Sequence, residues 1–405
     1  MERKTGLVCV VWFLVVFVAE WVLPSRAIAA CKWPGAVPHS TRIALIADPQ
    51  LVDDHTYPGR PRLLQKITEV VSDRFLAKNY RYLHIFLDPD ATVFLGDLFD
   101  GGRDWSTPAW MDEYKRFTRI FPKPPNKKTI MNLPGNHDIG FGDTIIVEAL
   151  HRFKTWFGQT SSVQNVGGHN IVVLDTISMS NKETPEIAEP HFDFLKSVPS
   201  LLEPSGNVVL CTHVPLYRPR GTGCDKVVRE RHMEIPYQLG VQYLTQIPPE
   251  LSTPILQTIQ PAVIFSGDDH DGCHVIHNYT VDGVEKQAHE FTVKTMSMAM
   301  GMHEPGIQLL TLTADGFETA LCNESSGFLP FQIYGVAAVI TMLYLVPFRR
   351  RREKSYLPVI EKNQAGVSLR LNRMVLRYLQ QCLIVLATFI VAQWFVGHMI
   401  YASIP

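Results

Sequence analysis

Five times between residues 43 and 270, a short apolar run rich in β-branched residues ends on a side chain able to hold a metal ion. Asp48 follows Ile43 to Ala47, and Asp97 follows Thr92 to Gly96. Asn136 and His137 follow Thr129 to Gly135, His213 follows Val208 to Thr212, and Asp268 with His270 follow Val263 to Gly267. In open α/β sheets the carboxyl ends of the strands share one edge, so residues far apart in sequence can converge in one crevice. A lone Asp or His after a strand is more often a turn residue or a helix cap. Five in series shift the balance towards a site. Glycines directly before Asp97, Asn136 and Asp268 let the backbone turn sharply and approach a ligand closely. Carboxylate, amide and imidazole without thiolate suit Mn²⁺, Fe²⁺ or Zn²⁺ in a catalytic site better than Ca²⁺ or a structural zinc.

From Arg42 to about Thr313 the same grammar repeats: an apolar run, a Gly/Asp/Pro turn, then often a helical stretch, which is α/β logic. Nine runs read as strands, enough for two sheets: Ile43 to Ala47, Thr92 to Leu95, Thr129 to Leu133, Ile171 to Leu174, Val208 to Cys211, Val263 to Phe265, His274 to His277, Phe291 to Thr295 and Gln308 to Thr313. Leu63, Leu64, Ile67, Val70, Val71 and Phe75 recur at helical spacing and predict an amphipathic helix between the first two strands. A second helix is expected after Thr144, through Trp156, with Thr144 as cap and Glu148 one turn in. Pro122 to Lys128 and Glu183 to Pro190 read as surface loops, and Pro215 to Pro249 as a long irregular insertion.

The apolar excess lies at the two ends. Arg3 and Lys4 precede an apolar run from Gly6 to Ala19, and Ala27 to Ala30 is a stretch of small residues. Residues 1–30 therefore read either as a cleaved signal peptide or, with the run extended through Leu23, as a signal anchor. Both deliver Cys31 onward to a lumen. Residues 328–348 have the length and composition of a bilayer span. Arg349 to Lys354 follow, and the positive-inside bias assigns 349–378 to the cytosol as a basic loop. A second span, 379–401, returns the chain to the lumenal side, leaving residues 40–322 as the lumenal domain. Two sequons, at Asn278 and Asn323, lie on that side. Of seven cysteines, Cys9 and Cys382 fall in apolar segments, which leaves Cys31, Cys211, Cys224, Cys273 and Cys322 in an oxidising compartment. Five cannot all pair. A bridge from Cys31 to Cys322 would close the domain's ends, but spacing does not fix the connectivity. A formal net charge of −1 gives no global basic excess of the kind that draws proteins onto nucleic-acid phosphates, so no nucleic-acid partner is expected.

Asp48-Pro49-Gln50, Gly96-Asp97-Leu98-Phe99-Asp100, Gly135-Asn136-His137-Asp138, His213 and Gly267-Asp268-Asp269-His270 resemble, in order, the motif blocks of calcineurin-like metallophosphoesterases. The resemblance covers roughly Arg42 to Thr313 and implies a four-layer α/β/β/α sandwich. Within that superfamily, Ala47 to Gln50, Val52-Asp53-Asp54, Gly135 to Gly140 and Ser266 to Cys273, together with flanking spans, resemble the fungal cell-division-control and Ted-type branch. That likeness implies a phosphodiesterase that removes ethanolamine phosphate from GPI-anchor glycans. It also implies a GPI glycolipid or GPI-anchored protein as substrate, an endoplasmic reticulum or Golgi membrane as location, and secretory cargo receptors as a further partner class.

By the same resemblance Asp97 would bridge two metal ions, with Asp48, Gln50 and His270 completing one site and Asn136, His213 and Asp268 the other. Two such cations can clamp a phosphoryl group and lower the pKa of a bridging water. His137 needs no metal and is the expected general acid or stabiliser of transition-state charge, with Asp138 orienting it and Asp100 holding the Asp97 turn or a metal ligand. The family usually places histidine where this chain has Gln50 and Asp268. Exchanging nitrogen for oxygen donors favours Mn²⁺ over Zn²⁺. His55 is either a substitute ligand or a surface histidine, and Arg218 and Arg220 either contact phosphate or glycan or lie in a solvated loop. Two further readings stand beside the leading one. The first is a lumenal phosphoesterase for another lipid, a nucleotide or a phosphoprotein; the second is a non-catalytic scaffold in which Gln50 and Asp268 mark decay.

Overall fold

A computed structural model describes residues 2–224, 229–231, 233–346 and 364–402. The chain divides into two compact units, one of residues 26–327 and one of the terminal apolar helices.

The larger unit holds two sheets. The first has the order β11-β10-β1-β2-β3, with β1 Thr41–Ile46, β2 Ala91–Phe94, β3 Lys128–Ile130, β10 Gly306–Thr313 and β11 Gly316–Asn323. The second has the order β4-β5-β6-β7-β9-β8, with β4 Ser162–Val166, β5 His169–Val173, β6 Val208–Cys211, β7 Val263–Ser266, β8 Cys273–Val281 and β9 Val284–Thr292. β1, β2 and β3 are parallel, as are β5, β6, β7 and β9. Of these, β1, β2, β5, β6 and β7 are buried on both faces, which is why their sequences read as apolar runs, whereas β9 alternates between buried and more exposed residues. One core joins the sheets: Ile43, Leu45, Val93 and Leu310 from the first pack with Ile171, Val173, Val209 and Phe265 from the second. Helices Arg62–Tyr82, Thr107–Ile120, Val147–Phe157, Pro185–Leu201 and Pro249–Ile259 complete the α/β domain.

Two strands were not visible in the sequence pattern, and both lie at sheet edges; β9, Val284–Thr292, overlaps the expected run Phe291 to Thr295 only at its end. β4 and β11 carry polar and half-buried residues in mixed order, so neither gives a clean period of two. Glu183 to Pro190 is not a loop throughout, because the helix Pro185–Leu201 starts within it on Pro185, whose fixed φ suits a first helical position. Thr144 is not a cap either. It ends a 3₁₀ turn, Gly142–Thr144, and its hydroxyl donates to Phe141 O at 2.7 Å. Cys31 pairs with Cys322, Cys224 pairs with Cys273, and Cys211 is free and buried. The first bridge joins the two ends of the domain, and the second fastens the 215–249 insertion to β8.

In the smaller unit, Arg3–Ala30 and Val375–Tyr401 are long and apolar enough to cross a bilayer, and Leu329–Leu345 is a shorter apolar helix. They share polar contacts: Trp12 Nε1 donates to Thr341 Oγ1 at 2.9 Å, Tyr334 OH to Glu20 Oε1 at 2.8 Å, and Gln393 Nε2 to Tyr334 OH at 2.9 Å. The basic cluster Arg349 to Lys354 lies outside the described residues, as do Ser403 to Pro405.

Candidate metal centre

All seven expected ligands and His137 follow the carboxyl ends of β1, β2, β3, β6 or β7, so both sheets present them along one edge. The turns that carry them are unusual. Asp48, Gln50, Asp97, Asp268 and His270 have φ of 46°, 38°, 46°, 66° and 66°, in the left-handed region that costs a residue with a Cβ about 1 kcal/mol or more. Gly96 and Gly135 make the crowding possible. A Cβ on Gly96 would lie 2.5 Å from His213 Nδ1, and one on Gly135 would lie 2.0 Å from Asp97 Oδ1.

Asp97 and His213 form the middle of the cluster. His213 Nδ1 faces Leu95 O at 2.7 Å, which places its proton there and turns Nε2 towards the other polar groups. Nε2 lies 3.3 Å from Asn136 Oδ1, 3.5 Å from Asp97 Oδ1 and 3.6 Å from Asp268 Oδ1. Asp48, Asp97 and His213 each offer a ligand atom within 4.8 Å of the others. Asn136 Nδ2 donates to Gln242 O at 3.2 Å, which aims Oδ1 into the cluster. Asp268 N donates to Asp48 Oδ1 at 3.1 Å, and Gln50 N to Asp97 O at 2.9 Å.

The charges are as crowded as the backbone. Burial, and then the neighbouring carboxylates Asp97 and Asp268, push Asp48 well above the usual carboxylate range, against the pull of His213. Asp268 is pushed up to about 7 by burial, with Asp97 adding to the push. Asp97 alone stays below the ordinary range, because His213 and His137 outweigh its burial. Burial lowers His270 to about 4, so its ring is neutral and free to act as a donor atom. Repelling carboxylates beside the neutral His270 ring and the amide oxygens of Gln50 and Asn136 ask for positive charge. Two buried oxygens, Asp48 Oδ2 and Gln50 Oε1, have no hydrogen-bond partner, an arrangement that costs about 1 to 3 kcal/mol per group unless something binds there. The donor set and its orphaned oxygens fit divalent cations.

The neighbours of His137 reverse two expectations. Its Nδ1 faces Asp100 O at 2.7 Å and Asp100 Oδ1 at 3.3 Å, so Asp100 orients the ring. Asp138 instead clamps the backbone: its carboxylate accepts from Leu98 N, Phe99 N and Gly135 N at 2.9 to 3.1 Å. Burial of the imidazolium disfavours it, yet Asp97 and the hydrogen bond to Asp100 prevail and raise His137 to about 9. His55 lies outside the Asp48 cluster and is not a loose surface side chain: it forms with Asp100 and His137 a second group whose potential ligand atoms lie within 4.8 Å of one another. It lies 3.3 Å from Asp100 Oδ2 and 3.0 Å from Asp104 Oδ2, with its ring edge-on to His137.

Arg218 does not face solvent or substrate, whereas Arg220 is exposed. Arg218 is buried, donating to Thr292 Oγ1 at 2.7 Å and lying 3.4 Å from Glu290 Oε2. Glu290 also accepts from Leu216 N at 3.1 Å, from Ser266 Oγ at 2.8 Å and from His277 Nε2 at 2.6 Å. Leu216 follows His213 and Ser266 precedes Asp268, so this one carboxylate braces both ligand turns of the second sheet. Its place was legible only as a charged residue in phase with the inward Ala288 and Thr292 of β9.

Burial works against the Glu290 carboxylate, but Arg218 and the His277 and Ser266 hydrogen bonds hold it down at about 2. An unfolded glutamate titrates near ~4.3. The folded value is the lower one, so the stabilisation is fully present above that pH and is lost as the pH falls towards 2. Glu290→Gln is expected to cost about 3 kcal/mol at pH 7, with the difference from the parent chain shrinking below about pH 4. Denaturant unfolding at several pH values measures this, and a pH-independent difference would contradict it.

Residues 41–272 match the family model described as calcineurin-like phosphoesterase. Over 318 residues the chain is 44% identical to cell division control protein 1 of Saccharomyces cerevisiae, an alignment covering 76% of this chain and 64% of the yeast protein. It is 26% identical over 357 residues to a metallophosphoesterase 1 homolog of Caenorhabditis elegans, covering 85% of this chain and 93% of that one. It is 28% identical over 371 residues to metallophosphoesterase 1 of Danio rerio, covering 83% and 91%. The two sheets, the ligand-bearing edge and the matched span agree with the expectation of a metal-dependent phosphoesterase: this chain belongs to the calcineurin-like phosphoesterase family.

Proposed function

We propose that this chain is a membrane-held phosphodiesterase with two divalent cations, acting in the lumen of the endoplasmic reticulum or Golgi on the ethanolamine phosphate of GPI glycans. The observation that carries the chemistry is the convergence of Asp48, Asp97, Asn136, His213 and Asp268, with Gln50 and His270 on the same strand-end turns and unpartnered oxygens at Asp48 and Gln50. Asp97 would hold both cations, Asp48, Gln50 and His270 one, and Asn136, His213 and Asp268 the other. Oxygen donors outnumber nitrogen in this set, which favours Mn²⁺. When bound, the cations would neutralise the phosphoryl oxygens and activate the attacking water.

The remaining chemistry belongs to His137. Asp100 holds Nδ1, leaving Nε2 to face the leaving group. With the ring protonated at neutral pH, Nε2 passes its proton to the departing alkoxide, and Asp100 keeps the ring in line. Cations beside Asp97 would lower the pKa of His137 and ease that transfer.

A lumenal location is supported by the two disulfides and by the exposure of both sequon asparagines, Asn278 and Asn323. The hydrogen bonds that Trp12 donates to Thr341 and that Tyr334 donates to Glu20 favour an N-terminal helix retained as an anchor over one removed as a signal peptide. A phosphodiesterase centre joined to such helices fits a substrate that is itself anchored in lipid.

His137→Ala is expected to lower kcat on a soluble phosphodiester about 10² to 10⁴-fold while KM and bound metal stay near parent values. A kcat within a few-fold of the parent would remove His137 from the proton transfer. For the substrate, cells lacking the protein should accumulate GPI glycans that retain an ethanolamine phosphate, detected by mass spectrometry. Unaltered glycans would reject GPI and leave another phosphodiester to be found.

A further inference from the structure

The helix Arg62–Tyr82 has the apolar spacing of an amphipathic helix, but only its second half is covered. Phe75 to Tyr82 are buried, whereas Leu63 is 76% exposed and Leu64, Ile67 and Val70 are exposed with it. The helix is too long for the sheet. Asn79 Nδ2 donates to Glu324 Oε2 at 3.0 Å, and Glu324 N donates to Pro305 O, next to the first residue of β10. Gly306 of β10 lies beyond the Leu45–Gln308 pair, at the carboxyl-terminal edge of β1. Residue 79 is thus already level with the ligand-bearing edge, and the helix before it, about 25 Å at 1.5 Å per residue, runs past it. Its start is tied to the site, since Gln65 Nε2 donates to Asp53 O and the Asp53 carboxylate accepts from Gly101 N and Trp105 Nε1. Arg60 and Arg62 border the apolar stripe, and Lys66 beside them is ion-paired with Glu69 at 2.8 Å.

A second apolar element rises at the same edge. In the 215–249 insertion, Leu239 and Leu244 pair as an antiparallel bridge and the turn between them points outward. Leu239 and Val241 are 73% and 85% exposed, and Tyr237 and Tyr243 are exposed beside them. The backbone of this tip is fixed to the site: Val241 O accepts from Thr144 Oγ1 at 3.1 Å, and Gln242 O accepts from Asn136 Nδ2. Aliphatic and tyrosine side chains held outward on a tethered backbone are the composition of an interfacial contact.

The chain connections leave from this edge too. β11 runs antiparallel to β10 and ends with Asn323 opposite Gly306, and Cys322 is bridged to Cys31. Both covalent routes from the domain to the apolar terminal helices therefore start at the ligand-bearing edge.

We infer that this edge is a membrane-docking face, in which residues 62–70 and 237–243 sit in the interface of the bilayer that holds the chain's own apolar helices. Its consequence for catalysis rests on the proposed phosphodiesterase reading: a lipid-linked phosphodiester reaches the centre without leaving the bilayer. A protein partner or a second copy could also cover apolar side chains. The bilayer is favoured because both connections to the apolar helices leave at the same edge and because Arg60 and Arg62 border the stripe, matching lipid phosphates.

The test uses the full-length chain with Cys9→Ser and Cys382→Ser, which leaves buried Cys211 as its free thiol. Ile67→Cys, Val241→Cys or Val284→Cys is added singly and labelled with an environment-sensitive fluorophore in phosphatidylcholine nanodiscs, with or without nitroxide-labelled lipid. Val284 is exposed at the opposite end of β9 and serves as control. Quenching by lipid should be at least ~3-fold stronger at 67 and 241 than at 284. Equal quenching at all three positions would overturn the inference. So would labels at 67 and 241 that are shielded from a water-soluble quencher yet unquenched by lipid, the result expected of a protein partner or a second copy. Amide hydrogen exchange on the unsubstituted chain guards against a misfolded variant, because docking predicts slower exchange over 62–70 and 237–243 in nanodiscs than in detergent. The readout needs no turnover. A chain that docks but cleaves no phosphodiester sinks the activity alone, and one that cleaves soluble bis(p-nitrophenyl) phosphate without lipid quenching sinks the docking alone.

Discussion

The carboxylate of Asp138 ties together two turns that the parallel pairing of β2 and β3 brings side by side. It accepts backbone N–H groups from Leu98 and Phe99, after β2, and from Gly135, after β3. These are the turns that present Asp97 and Asn136. Burial and the Asp97 charge push Asp138 up to about 7, so the clamp is held against an electrostatic load. That load is heaviest with Asp97 uncompensated, and positive charge on Asp97 would relieve both groups. The second sheet has its counterpart in Glu290, braced by Arg218 and His277 beneath the turns of His213 and Asp268. One carboxylate per sheet thus ties together two of the turns at this edge, and the shared core sets the sheets face to face.

Strain and charge point the same way. Five ligand residues hold left-handed backbone conformations, several carboxylates are pushed upward by burial and by one another, and two buried oxygens lack partners. Each is unfavourable in isolation, and cation binding offsets the electrostatic part of all of them. The same edge carries the exposed start of the helix Arg62–Tyr82 and the 237–243 tip. The elements that shape the centre are also those that determine what can approach it.

Much of this was legible in the sequence. Ligands such as Asp97 and His213 follow parallel strands, and buried parallel strands announce themselves as continuous apolar runs. The edge strands β4 and β11 were not legible, because half-exposed strands with mixed residues carry no clean period. Residue types gave the members of the site but not their connections. Asp138 and Asp100 both sit near His137 in sequence, and only the fold decides that Asp100 meets the ring while Asp138 turns back to the β2 loop. Arg218 likewise read as a solvent or phosphate contact, since its partner Glu290 lies 72 residues away with no local pattern to link them. The stripe Leu63, Leu64, Ile67 and Val70 was visible, but its exposure depends on the length of the helix relative to the sheet.

The central claim is that these residues hold two cations, and metal content tests it most directly. Full-length protein purified without chelator should carry close to two divalent ions per chain by elemental analysis, with manganese prevailing when offered alongside zinc. Asp97→Asn should lose both ions, because Asp97 would be the ligand they share. A chain with no bound divalent metal, or one whose phosphodiester hydrolysis survives complete chelation, would contradict the account.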